Sequence, residues 1–398
     1  MGESLVEETR KVFIIGSKGT PAKYGGFETF VDNLVSRQKS NKIKYFLACR
    51  RDLSDNKADL YGYKKATCFN IDVPNIGPAK AILYDLRSLS WALNYIRDNN
   101  IKGATIYILA CRIGPFLKHF DKQLKRYDTK IFVNPDGHEW MRAKWGFFVR
   151  RYWKLSERLM IKNADLVICD SKHIELYIRD KYRTYKPKTV YSSYGADIAS
   201  TQNVNHQDLQ KWFKEKGISS GRYYLIVGRF VPENNYLTMI SEFKASSTDK
   251  NLVIITNPDN VKFLQSLKEQ TRFESDKRIK FVGTVYDKNL LAAIRTNAFA
   301  YIHGHEVGGT NPSLLEALGT TDLNLLFDVG FNKEVGQDAA IYWNKQPGNL
   351  AHVINKVDKM TLADRQALGQ KAKEVIKDNF SWNKIVSENE RLFINAKI

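Results

Sequence analysis

The stretch VFIIGSKGTPAKYGGFETFVDNLVSR, residues 12–37, decides how the rest of the chain is read. Val12 to Ile15 is a short apolar run of strand length, a glycine-rich loop runs from Gly16 to Glu28, and apolar residues then recur at helical spacing from Thr29 to Arg37. In that loop, closely spaced glycines let backbone N–H groups approach a diphosphate or a sugar at the positive end of the following helix, with Gly25 and Gly26 as the candidate contacts. A plain tight turn would use the same glycines. The spacing is not G-x-G-x-x-G, and Arg50, Arg51 and Asp52 after the second strand supply no clear acidic ribose ligand, which argues against dinucleotide binding.

Outward from this unit the order repeats. Tyr45 to Cys49, Thr105 to Ala110, Lys130 to Val133 and Leu166 to Cys169 are apolar runs separated by helix-period segments, as in a parallel sheet covered by helices on both faces. A polar stretch, Ala199 to Gly221, precedes a new strand at Tyr223 to Val227, and Leu252 to Thr256, Ile279 to Val282, Ala298 to His303 and Asn324 to Phe327 continue the alternation. The expectation is an α/β chain of two doubly wound domains, residues 1–203 and 204–377. From Asp364 to Phe393 helical periodicity breaks near Asn379 to Ser381, so a terminal helix pair is expected, the last piece being residues 378–398. A length of 398 residues with 43% apolar content suits two domains.

Bulk properties narrow the function classes. Cys49, Cys68, Cys111 and Cys169 lie in or beside apolar runs with no zinc-like or disulfide-like pairing, and read as reduced, buried thiols. No stretch reaches the roughly 20 apolar residues of a spanning helix, and MGESLVEETRK ahead of VFIIG lacks a signal peptide's apolar core, so a cytoplasmic protein is expected. Of the formal charge of +19, residues 1–200 carry +15, with 36 Lys and Arg against 21 Asp and Glu. Such a surface attracts nucleic acid or anionic lipid, and charge alone does not separate the two. No nucleic-acid-binding signature accompanies it, so an anionic membrane is the expected partner and nucleic acid is not.

Four further segments carry chemistry. GRFVPENN, residues 228–235, places Arg229 at a strand's carboxyl end, where open α/β sheets bind ligands and a planar guanidinium suits phosphate. HGHEVGGTNPSLLEAL, residues 303–318, enters a helix with Gly309, Thr310 and Asn311 positioned to donate to an anion and Glu316 to accept from ribose hydroxyls; His303, His305 and Glu306 are too short a cluster for a metal site, and none is expected. NPDGHEW, residues 134–140, puts Asp136 and His138 at another strand end, where either could act on an acceptor hydroxyl; Pro135-Asp136-Gly137 would serve equally as a turn. RAKWGFFVRRYWKLSERLMIK, residues 142–162, has seven Lys and Arg, one acid and five aromatics. Its predicted stripe is Trp145, Phe148, Tyr152, Leu155 and Leu159, and Lys144, Trp145, Phe148, Arg150, Arg151, Trp153 and Lys154 are the expected membrane- and acceptor-facing residues. Packing of the stripe on its own domain is the alternative.

Taken in order, SKGTPAKYGGFETFVDNL, NPDGHEW, GRFVPENN and HGHEVGGTNPSLLEALG resemble the retaining glycosyltransferases of family 4, which have the GT-B fold of two Rossmann-like domains facing a central cleft. The combination is most similar to the bacterial rhamnosyltransferases of streptococcal capsule and cell-wall rhamnose polysaccharides, over nearly the whole chain including DNFSW at 378–382, which in that fold leads into a helix crossing back to the first domain. The resemblance implies a dTDP-L-rhamnose donor on the second domain, an undecaprenyl-diphosphate-linked GlcNAc or Glc acceptor approached from the first, a β-1,4 product, and no divalent metal or other cofactor. Arg229 would neutralise the leaving diphosphate. Two positions depart from the wider family: Asn234 stands where it has a lysine, leaving Lys18 or Lys23 to supply a second cation, and Gly308 stands where it has a glutamate. A UDP-hexose donor on the same fold and a basic nucleic-acid-binding protein are the competing readings.

Overall fold

The computed structural model describes residues 9–22, 25–142, 145–198 and 206–395, and counts and absences are stated over those residues. The chain forms two compact units, one of Met1–Tyr194 with Trp382–Ile398 and one of Gly195–Ser381. The breaks therefore fall at 194/195 and 381/382 rather than at 203/204 and 377/378. Within the second unit the Ala196 amide donates to the Phe380 carbonyl at 2.8 Å and Ala196 bridges Ser381, so the chain enters and leaves that unit at one place.

The first unit runs β1 (Arg10–Ile15), α1 (Gly26–Ser36), β2 (Ile43–Arg50), β3 (Leu60–Tyr63), β4 (Ala66–Ile71), α2 (Lys80–Asp98), β5 (Thr105–Leu109), α3 (Gly114–Leu124), β6 (Lys130–Asn134), α4 (Phe147–Asn163), β7 (Leu166–Cys169), α5 (Lys172–Lys181) and β8 (Thr189–Tyr191). Its sheet has the order β3-β4-β2-β1-β5-β6-β7-β8, parallel except for the β3–β4 hairpin at its edge. Helices cover both faces, which is why Val12 to Ile15 and Ile106 to Leu109 are apolar without alternation and fully or almost fully buried. The strand order reverses between β1 and β5, and such a reversal opens a crevice at the carboxyl ends of the strands. Gly16 sits there at φ +101°, and a Cβ on it would lie 2.2 Å from the Leu109 carbonyl oxygen. Only glycine lets the β1 and β5 ends approach this closely.

The second unit runs α6 (His206–Lys216), β9 (Tyr223–Val227), α7 (Tyr236–Ala245), β10 (Asn251–Ile255), α8 (Val261–Thr271), β11 (Ile279–Gly283), α9 (Lys288–Thr296), β12 (Ala300–His303), α10 (Pro312–Leu318), β13 (Asn324–Phe327), α11 (Gly330–Gly336), β14 (Ile341–Trp343), α12 (Asn349–Val357) and α13 (Leu362–Asn379). Its six parallel strands are ordered β11-β10-β9-β12-β13-β14, with the reversal between β9 and β12. Helix α14 (Trp382–Ile394) belongs to the first unit. There Phe393, fully buried, meets the rings of Tyr45, Tyr107 and Phe132 at 6.1, 5.6 and 6.2 Å, and the Glu390 carboxylate accepts the amides of Lys39 and Ser40.

Helix α4 differs from its predicted orientation. Its buried face is Trp153, Ser156, Glu157, Met160 and Ile161, whereas Phe148 is 85% and Leu155 48% exposed. Trp153 is thus a core residue, not a membrane-facing one. The phase is set by two residues that an apolar count passes over. At Ser156 the helix packs so closely on α3 that a Cβ on Gly114 would lie 2.1 Å from the Ser156 carbonyl oxygen, and the Ser156 hydroxyl accepts the Gly114 amide at 2.8 Å. Glu157 is held inside by the Tyr177 and Tyr182 hydroxyls, and burial raises its pKa against the lowering effect of those donors.

Candidate functional site

In the second unit the loops leaving β9 and β12 are neighbours because their strands are. Gly228 and Arg229 follow β9 directly, and the Arg229 carbonyl accepts the Val231 amide at 3.0 Å and the Asn234 side-chain amide at 2.7 Å. Asn234 is 4% exposed and is consumed in closing this turn, so the place where the glycosyltransferases it resembles have a lysine holds a backbone tether, not a ligand. The adjoining Asn235, in a left-handed conformation, donates to the Gly304 carbonyl at 2.8 Å and ties the β9 loop to the β12 loop. The two are in such close contact that a Cβ on Gly304 would lie 2.3 Å from the Asn234 carbonyl oxygen. Out of this braced turn the Arg229 side chain projects to solvent, with no ion-pair or hydrogen-bond partner among the described residues.

The β12 loop is braced equally. The Tyr301 and Ser313 hydroxyls converge on the Val227 carbonyl at 3.0 and 3.2 Å, and the Asn311 side chain caps α10 by accepting the Ser313 amide, with Pro312 at the first helical position. Thr310 is buried and Gly309 half-buried. The His303 and His305 rings stack 4.4 Å apart, and burial drives the His303 pKa down to about 3, leaving that ring neutral. Glu316, 42% exposed, is held by the buried Arg295 at 2.8 Å, a partner the sequence reading did not foresee.

In the first unit the start of the Gly16 loop is tied down by hydrogen bonds to its backbone. Arg112 donates to the Gly16 carbonyl at 3.1 Å, the Tyr84 hydroxyl to that of Ser17 at 2.7 Å, and the Arg50 amide to that of Lys18 at 3.0 Å. The Lys18 amide donates to Glu28 at 2.8 Å. Gly25, at φ +128°, caps α1, and a Cβ there would lie 1.9 Å from the Glu28 carboxylate, which folds over the helix start beside Gly26. Lys18, Glu28, Cys49, Ser54 and Asp55 help line a cavity of about 200 Å³ beside this loop. Arg112 also pairs at 3.0 Å with Asp85, a fully buried carboxyl whose pKa burial raises. Sequence reasoning missed this pair, although an arginine just past the β5 end was a signal of the same kind as Arg229.

Beyond β6, Asp136 and His138 both adopt left-handed backbone conformations, at φ +56° and +43°, sparsely populated for residues other than glycine. The Asn134 side chain accepts the Asp136 amide at 2.8 Å, and Arg142 lies 3.8 Å from the Asp136 carboxylate. The His138 ring stands 4.3 Å from that of Tyr177, and burial, reinforced by His173, holds its pKa below the usual histidine range. On α4, Phe147, Phe148, Arg150, Arg151 and Lys154 are exposed, while Trp145, half-buried, donates its indole N–H to Glu139 at 3.0 Å. Lys23 and Lys144 lie outside the described residues.

Two doubly wound α/β units in one chain, each with its loops gathered at a reversal of strand order, define the GT-B fold of glycosyltransferases. Against sucrose-phosphate synthase from Thermosynechococcus elongatus the TM-score is 0.77 at 16% identity, covering 97% of this chain and 99% of that one. Against HepE of Anabaena in complex with UDP it is 0.68 at 14% identity, covering 97% and 100%. An uncharacterized glycosyltransferase of Methanocaldococcus jannaschii is 24% identical over 388 residues, 93% of this chain and 94% of that protein. Residues 9–197 match a domain of unknown function, DUF1972.

Proposed function

We propose that this protein is a retaining glycosyltransferase that moves L-rhamnose from dTDP-β-L-rhamnose to an undecaprenyl-diphosphate-linked GlcNAc or Glc, forming a β-1,4 linkage in bacterial cell-wall or capsular polysaccharide synthesis. The observation that carries this reading is Arg229: an exposed guanidinium with no partner among the described residues, on a braced turn at the strand-order reversal of the second unit. Positive charge fixed in advance where the diphosphate leaves lowers the barrier without reorganisation at the moment of reaction. Gly309, Thr310 and Asn311 would add donors, Glu316 would accept from the hydroxyl of the donor's deoxyribose, and no divalent metal would be needed. Gly25 and Gly26 would approach the donor from the first unit, where the Glu28 carboxylate leaves less room for an anion than glycines alone suggest. Either His138, whose pKa burial lowers, or Asp136 would accept a hydrogen bond from an acceptor hydroxyl, with the departing diphosphate helping to take the proton.

A lipid-linked acceptor would put the reaction at the inner face of the plasma membrane. Among the described residues no helix is long and apolar enough to cross a membrane, so attachment would be peripheral, through Phe147 and Phe148 with Arg150, Arg151 and Lys154. A UDP-hexose donor is the second reading, prompted by the UDP held by the Anabaena protein. The test is turnover of dTDP-rhamnose on a short lipid-diphosphate-sugar analogue. Arg229→Ala should lower kcat by roughly a hundredfold or more, as for removal of one preorganised charge donor. An alanine variant that folds and keeps the full rate would remove Arg229 from the diphosphate site.

A further inference from the structure

Arg295 is a buried charge that neither the fold nor the proposed chemistry requires. It lies in the last turn of α9, its side chain is 4% exposed, and the Thr321 hydroxyl donates to its carbonyl at 3.0 Å. One terminal nitrogen serves two acceptors on α10, Oε2 of Glu316 at 2.8 Å and the Ser313 hydroxyl at 3.2 Å, and its Nε is buried without a partner. A guanidinium taken out of water at this cost is immobile, and so is the carboxylate oxygen it grips. The other oxygen of Glu316 has no hydrogen-bond or ion-pair partner among the described residues, and the side chain is 42% exposed.

A carboxylate meets a ribose most strongly with one oxygen on each of the two adjacent hydroxyls, 2′ and 3′. With Oε2 already committed to Arg295, the second contact would have to share that oxygen with a fixed guanidinium. We infer that Arg295 is a specificity-setting positioning residue: it leaves Glu316 one oxygen for one hydroxyl and so fits the donor site to a 2′-deoxynucleoside diphosphate, in which only the 3′-hydroxyl is present. This rests on the reading that the β9–β12 site holds a nucleoside diphosphate, and it selects the class of nucleotide within it. It depends on no contact with the base or with the transferred sugar.

Calorimetric titration of the full-length protein with UDP, 2′-deoxy-UDP and 3′-deoxy-UDP isolates the hydroxyls from the base. The wild-type protein should bind UDP and 2′-deoxy-UDP within about threefold of each other and 3′-deoxy-UDP about tenfold more weakly, the loss expected for one hydrogen bond to a charged group. Arg295→Met frees Oε2, so UDP should then exceed 2′-deoxy-UDP by about tenfold. Arg295→Lys, which restores a cation, should return the ratio towards the wild-type value. Wild-type protein that prefers UDP over 2′-deoxy-UDP by about tenfold, or a folded Arg295→Met variant with an unchanged ratio, overturns the inference while leaving the diphosphate site standing. If Arg295→Met does not fold, the wild-type comparison decides alone. Failure of the wild-type protein to bind any of the three overturns the diphosphate site itself and the inference with it.

Discussion

His303 shows at the residue scale how a buried titratable group ties stability to pH. Burial holds its folded pKa at about 3, far below the value of about 6.5 in an unfolded chain. The neutral ring therefore contributes stability that is complete above about pH 6.5 and is lost progressively as pH falls towards 3. His303→Phe, which keeps a ring against His305, should flatten the acid limb. Its Tm should fall less than that of the wild-type protein between about pH 7 and pH 4 in scanning calorimetry, and parallel curves would show that His303 does not carry the effect. At this scale the sequence was legible where position alone implies a role. A strand-end arginine must lie at the sheet's carboxyl edge, and Pro312 was legible as a first-turn residue, although Asn311, read as an anion donor, proves to cap the helix by accepting the Ser313 amide. The sequence pointed to Glu316 but was silent about its pairing with Arg295, because that pairing joins the end of one helix to the middle of another across an intervening strand, and no spacing rule connects them. Asn234 was legible as a departure, but its tether to the Arg229 carbonyl could be seen only once the turn had closed.

At the scale of elements, the apolar strands were legible because burial on both faces removes alternation and leaves continuous runs. Strands β3, β4, β8 and β14 went unread: β3, β8 and β14 lie at sheet edges, which relaxes the demand for apolar side chains, while β4 is internal and buried but its apolar run is interrupted by Thr67 and Asn70. Helix α4 was found, but its rotation was read wrongly, since Ser156 and Glu157 face inward and Phe147 and Phe148 outward. That rotation sharpens the membrane prediction. Phe147 is 65% exposed with the Arg151 guanidinium over its ring at 5.1 Å, and Phe148 lies beside it. Phe147→Ser together with Phe148→Ser should abolish co-sedimentation with vesicles rich in anionic lipid and leave the Tm unchanged, because neither ring packs in a core. Undiminished sedimentation would point to another surface.

At the scale of the whole molecule, the two-unit plan was legible from the repeated alternation of strands and helices, and the return of the last helix to the first unit came with the family resemblance. The packing of that helix makes a stability prediction. Phe393 is fully buried among three aromatic rings of the first unit, so Phe393→Ala should cost about 3–5 kcal/mol, measured as a shift in the urea midpoint of that unit's transition. A change below about 1 kcal/mol would mean that the site collapses around the smaller side chain.

The same return sets the order of events on the ribosome. Gly195–Ser381 is one uninterrupted run, whereas the first unit waits for Trp382–Ile394, a segment translated only after all of the second. The later-synthesised unit is thus the first to have all its parts, and the nascent earlier one carries an unfilled apolar seam over Tyr45, Tyr107 and Phe132 until translation has passed Phe393.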